Sequence, residues 1–197
     1  METGISVCIV EDEESIIDGV RRVVETLDAQ ARFHAVLVET GDDARRVPEL
    51  VAEYRPEVLI MDLGLPYMEP VSAPWEPGLR LLDAIASMLV ETVPIALTAY
   101  EPDAALADAL RAGALRYVVK RGSWINELRQ WIPLAAAYGQ GQRIRREAAV
   151  QAERMAIAER LAHDIASLLT VVSGATGTMR PSRRPVPLRC SNEASNG

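Results

Sequence analysis

The chain has little sulfur, little histidine and almost no lysine, and each shortage excludes something. Its 197 residues hold two cysteines and two histidines. Cys8 lies inside an apolar run and Cys190 near the polar C-terminus, so neither a disulfide framework nor a cysteine-based metal cluster is implied. His34 has no other histidine, cysteine or acid patterned around it and reads as structural. No run of about 18 apolar residues occurs, which argues against a membrane span. Met1-Glu2-Thr3-Gly4 lacks the basic and apolar regions of a signal peptide, so a cytoplasmic location is expected. Lys120 is the only lysine; every other cation is arginine. A compact ammonium ion kept at one place suits a point contact with a phosphoryl group better than a planar guanidinium does.

What is present is a 49% hydrophobic chain, enough for one ordinary domain plus an appendage. The net charge of −7 is unevenly spread: residues 1–138 carry −11 and residues 139–197 carry +4. The acidic body does not suggest nucleic-acid binding, and the arginines that follow are too scattered for a phosphate-binding stripe.

Val58-Leu59-Ile60-Met61 runs straight into Asp62, then Gly64 and Pro66, which reads as a buried strand ending on a carboxylate. Ile5 to Val10 is a similar run that stops at Glu11-Asp12-Glu13-Glu14. Phe33–Val38, Pro94–Thr98 and Arg116–Val119 complete five expected strands. Helices are expected from Ser15, over 41–54, over 78–90 (Leu79, Leu82, Ile85, Ala86 and Leu89 inward), and from Pro102 to Gly113 with Ala105, Leu106, Ala109 and Leu110 inward. A fifth is expected over 124–138, bent at Pro133 and ended by Gly139-Gln140-Gly141. The alternation predicts an α/β fold, a doubly wound five-stranded parallel sheet. Tyr67 to Pro77, with three prolines and Trp75, reads as a rigid non-helical excursion.

In such a sheet the ligand crevice lies outside the carboxyl ends of the strands. Glu11, Asp12, Asp62, Thr98 and Lys120 would converge there. Three carboxylates together need a cation, and all-oxygen ligation suits Mg²⁺ better than zinc. Asp62 could then act as a nucleophile that forms an acyl phosphate, with Thr98 and Lys120 holding phosphoryl oxygens.

Val10-Glu11-Asp12-Glu13, Ile60 to Pro66, Ala96-Leu97-Thr98-Ala99, Ala112-Gly113-Ala114 and Tyr117-Val118-Val119-Lys120 resemble, in this order, the receiver domain of two-component response regulators. The resemblance covers residues 4–138. It implies a flavodoxin-like receiver with Asp62 as phosphoacceptor. Mg²⁺ would be held by Glu11, Asp12, Asp62 and the Gly64 carbonyl, Thr98 and Lys120 would read the phosphoryl group, and Tyr117 would be the switch aromatic. It also implies partners: a sensor histidine kinase or phosphotransfer protein upstream and a protein target downstream. From the residues themselves no direct nucleic-acid binding and no membrane are expected, and no helix-turn-helix is visible after the receiver. Two departures stand out. Arg121 replaces the proline that family members place after the lysine in a cis peptide, and the 67–77 excursion is longer than the family's connection.

From Gln142 the chain reads as one long helix over 142–174, followed by a disordered tail over 175–197. Met155, Ala158, Ala162, Ile165, Leu169 and Val172 alternate spacings of three and four, a seam that calls for a partner helix and hence a homodimer. Leu161 to Gly174, with His163-Asp164, is similar to the phosphoacceptor and dimerisation helix of histidine kinases, so His163 is a candidate second phosphoacceptor, flanked by Glu159 and Ser167. No Gly-rich ATP-binding region follows, so self-phosphotransfer and autodephosphorylation are the only activities expected. The other readings are a truncated hybrid kinase using His163, a metal-dependent aspartyl phosphohydrolase, for which Gly64 stands where a general acid is wanted, and an inert dimerising adaptor.

Overall fold

The computed structural model describes residues 4–66, 71–89, 91–101 and 103–176. Five strands and five helices alternate: β1 Ser6–Glu11, α1 Glu14–Leu27, β2 Arg32–Leu37, α2 Gly41–Tyr54, β3 Val58–Asp62, α3 Glu76–Met88, β4 Val93–Thr98, α4 Asp103–Arg111, β5 Arg116–Val119 and α5 Trp124–Thr176. All strand pairs are parallel, in the order β2-β1-β3-β4-β5. The order reverses between β1 and β3, so a crevice opens at their carboxyl ends, where Glu11 and Asp62 stand.

The strands are apolar on both faces because both are covered. Cys8, Val10, Leu59, Met61 and Ala96 face Val47 and Val51 of α2, Leu82 and Ile85 of α3 and Ala109 of α4. Val7, Ile9, Ile60, Ile95 and Leu97 face Val20 and Val24 of α1 and Leu128, Ile132 and Ala135 of α5. The Cys8 thiol is buried, and desolvation pushes its pKa up to about 12. His34 stacks on Tyr54 with ring centroids 4.4 Å apart, a structural contact as the sequence suggests.

Local signals set the helix ends. Thr40 caps α2 in a reciprocal box with Asp43, and Arg55 ends it in the left-handed region (φ 46°) just before Pro56. Helix α3 begins at Glu76, so the non-helical excursion stops at Trp75 and Pro77 belongs to the first helical turn, where a missing N–H costs nothing. Tyr67–Pro70, Val90 and Pro102 lie outside the described residues.

Two expectations need correction. In α4, Ala105 and Ala109 are buried but Leu106 and Leu110 are 39% and 49% exposed, because the short helix turns only its alanine edge to the sheet. Gly139 and Gly141 do not end α5, which continues through Pro133 and both glycines to Thr176. A glycine stops a helix by adopting positive φ, and among the described glycines only Gly113 and Gly122 do so. Gly139 serves packing instead: a Cβ there would sit 3.0 Å from Val93 Cγ2.

The chain divides into two compact units, 1–147 and 148–197, with α5 running from the first into the second. In the second unit every residue from Ala148 to Leu168 is exposed, and the expected tail beyond 176 lies outside the described residues. No described helix is long and apolar enough to cross a membrane.

Candidate functional site at the carboxyl ends of the strands

Glu11 ends β1 with its side chain fully buried. Its Oε1 accepts from Lys120 Nζ at 2.7 Å and from the backbone N–H groups of Asp12 and Glu13 at 3.2 and 3.4 Å. Its Oε2 is buried with no hydrogen-bond partner among the described residues. Asp62 ends β3 at 4% exposure; Oδ1 accepts from Gly64 N at 3.0 Å and Oδ2 from Lys120 Nζ at 3.0 Å. Asp12 is more open, and one oxygen from each of Glu11, Asp12 and Asp62 falls within 4.8 Å of the others.

Lys120 follows β5, its backbone N–H donating to Thr98 O at 2.7 Å, and its side chain lies between Glu11 and Asp62 at 9% exposure. Burial alone would lower its pKa, but the Asp62 and Glu11 carboxylates outweigh burial and raise it, so the ammonium stays charged. For Glu11, burial and then the Asp62 charge raise the carboxyl above its ordinary range, and Lys120 only partly offsets them. One ammonium cannot satisfy three acids. The orphaned Glu11 Oε2 and an all-oxygen donor set fit a hard divalent cation such as Mg²⁺.

Thr98, buried at the end of β4, accepts from Tyr100 N at 3.2 Å. The Tyr117 hydroxyl donates to Tyr100 O at 2.5 Å. Burial pushes the Tyr117 phenol up, a bond with Thr98 opposes this, and Glu101 adds to the rise. Glu11, Asp12, Asp62, Gly64 and Lys120 therefore meet at the strand ends; Thr98 stands at the end of neighbouring β4, and Tyr117 is tied to that end through Tyr100. His163 stands in the other unit, 81% exposed at the side chain, with Nδ1 3.6 Å from Asp164 Oδ1.

The turn after Lys120 does without proline. No described peptide bond is cis; Arg121 N donates to Val119 O at 2.6 Å, a bond proline could not make, and Gly122 takes the left-handed turn position at φ 55°. The Arg121 guanidinium pairs with Glu101 at 2.7 Å.

Three contributors were not visible as such in the sequence. Gly78 lets α3 approach the end of β3: a Cβ there would lie 2.3 Å from Asp62 O and 2.4 Å from Leu63 Cα, and its N–H donates to Leu63 O at 3.2 Å. Tyr100 walls the crevice, its Cε2 lying 3.3 Å from where a Gly64 Cβ would stand, a point 3.7 Å from Asp62 Oδ1. Trp75 packs on Tyr100 with ring centroids 6.0 Å apart. Gly78 carried a sequence signal that pointed to a helix start, and Trp75 one that placed it in the 67–77 excursion; Tyr100 carried none.

The model of the response regulator receiver domain family matches residues 7–132. This chain belongs to that family. The receiver is 31% identical over 118 residues to the regulatory protein AtoC of Escherichia coli, covering 60% of this chain and 23% of AtoC. It is 36% identical over 84 residues to the oxygen regulatory protein NreC of Staphylococcus aureus, covering 43% of this chain and 36% of NreC. The chain thus spans less than two fifths of either relative's length. A CheY-like receiver domain from Methanospirillum hungatei superposes with a TM-score of 0.56 at 18% identity, over 71% of this chain and 99% of that one, a likeness of fold.

Proposed function

We propose that this receiver takes a phosphoryl group onto Asp62 in a Mg²⁺-dependent phosphorelay and signals through protein contacts. The observation that carries the reading is the buried, cation-poor acid cluster at the switch point, with Lys120 already bridging Glu11 and Asp62. The family membership supports receipt from a sensor histidine kinase or phosphotransfer protein.

In the step, an Asp62 carboxylate oxygen attacks the donor phosphorus in line. The new O–P bond forms as the donor's N–P or O–P bond breaks, and the donor keeps that electron pair and takes up a proton. Glu11, Asp12, Asp62 and the Gly64 carbonyl would hold Mg²⁺, which would supply positive charge to offset the acids and the incoming phosphoryl group. Lys120 moves from the Asp62 carboxylate to a phosphoryl oxygen, keeping its ion pair with Glu11. Thr98 turns its hydroxyl to another and releases Tyr100 N. Tyr100 then passes the change to Tyr117 through its carbonyl and to Trp75 through its ring.

On this reading the receiver over 4–138 carries the chemistry, and the segment 142–174, the distal part of α5, carries the exposed His163. His163 is a candidate second acceptor on exposure and on its acidic neighbour alone. A phosphohydrolase would want a general acid where Gly64 stands, and the family membership disfavours it.

The test is incubation with Mg²⁺ and a small acyl phosphate, followed by intact mass. One added phosphate, absent without Mg²⁺ and absent in Asp62→Asn, is the expected result. Unchanged incorporation in Asp62→Asn would sink the assignment.

A further inference from the structure

We infer that the helix beyond the receiver is one strand of a parallel, in-register two-stranded coil, and that its occupant is a second copy of this chain. A single helix in water gains too little from its own hydrogen bonds to be secure, and helices are held mainly by burying a face. From Ala148 to Leu168 this one buries none: Met155 is 64% exposed, Leu161 57%, Ile165 57% and Leu168 66%.

Those apolar residues have a register. Ala148, Gln151, Met155, Ala158, Ala162 and Ile165 alternate spacings of three and four, and the sequence continues at Leu169 and Val172. Such a pattern places one continuous seam along a pair of supercoiled helices. Leu161 and Leu168 fall at the positions flanking the seam and would cover its side, while Val150 and Ile157 fall on the outer surface. Gln151, the one polar residue in the seam, is the kind of interruption that fixes register at a cost in stability.

Charge selects the occupant and its direction. In a parallel pair, the position before a seam residue meets the position five residues further along the partner. Arg154 therefore meets Glu159 of a second copy, and the two-fold symmetry makes the contact twice. Neither has an ion-pair partner among the described residues, and five residues apart they do not face each other within one helix. An antiparallel pair would separate them. His163 lies outside the seam, so pairing leaves its imidazole exposed.

The pairing does not depend on phosphotransfer, and its test uses the whole chain without donor or metal. Sedimentation velocity from low to high micromolar concentration should show a monomer–dimer transition, abolished by Ile165→Asp with the circular dichroism of the receiver retained. Arg154→Glu and Glu159→Arg should each raise the dissociation constant about tenfold, and together return it to within about threefold of wild type. Ile165→Cys in a Cys190→Ser background should cross-link on mild oxidation. A monomer at every concentration, a dimer indifferent to Ile165→Asp, or a double charge swap without rescue would each overturn the inference.

Discussion

The receiver body and the helix that leaves it are built from similarly apolar sequence but use it in opposite ways. In the body, β1 and β3 are buried from end to end, and the buried polar side chains among the described residues, Ser6, Glu11, Asp62 and Thr98, stand at strand ends. In the distal helix every described side chain faces solvent, His163 included. Burial makes a carboxylate chemically unusual by taking away its water and leaving it one lysine and its own neighbours to answer to. Chemistry is therefore expected of the body and contact of the helix.

The largest effect is expected at a glycine of the body. Gly78→Ala forces a methyl group into the Asp62 carbonyl, with no flexible side chain to give way, and should cost about 3 kcal/mol in chemical denaturation. Phosphate uptake should fall with it, since α3 and the end of β3 must part. Lys120→Met leaves Glu11 and Asp62 facing each other uncompensated; a loss of about 3 kcal/mol without Mg²⁺ is expected, partly restored by the metal.

Acidity gives a smaller effect with a definite sign. Glu11 is raised in the folded protein, so its contribution is full below the ordinary value of 4.5 and is lost as pH rises through the folded value. Without Mg²⁺ the receiver should become less stable from mildly acidic to mildly alkaline pH. Metal binding must displace that proton, so Mg²⁺ affinity should rise over the same range, and Glu11→Gln should flatten both profiles, read by denaturation and by titration. At the far end of the scale is Gly141→Ala. Nothing lies within 4 Å of a Cβ there, so the helix should gain about 1 kcal/mol, a change of opposite sign to Gly78→Ala.

The same contrast explains what the sequence made legible. A strand that runs Val-Leu-Ile-Met and stops on Asp62 announces both its burial and its acid, and the repetition of that pattern at Glu11 located the crevice. Thr98 and Lys120 followed from strand ends, where the fold admits little choice. Contacts between distant segments carry no such pattern: Trp75 meets Tyr100, and Gly78 meets Asp62, only because α3 docks where it does. Gly139 misled for a related reason. Read locally it is a helix stop, but it lies within a continuing helix, close against the β4 side chain Val93, which a Cβ there would crowd. Leu106 and Leu110 fit an inward spacing, and only the docking of α4 shows that the alanine edge is the one taken.

The most direct test of the division between buried chemistry and exposed contact is to locate the phosphate. After reaction with Mg²⁺ and an acyl phosphate, the chain is cleaved and its peptides compared for wild type, Asp62→Asn and His163→Ala. A base-labile phosphate is expected on the peptide containing Asp62, lost in Asp62→Asn and retained in His163→Ala. An acid-labile, base-stable phosphate on the His163 peptide, with none on Asp62, would contradict that division.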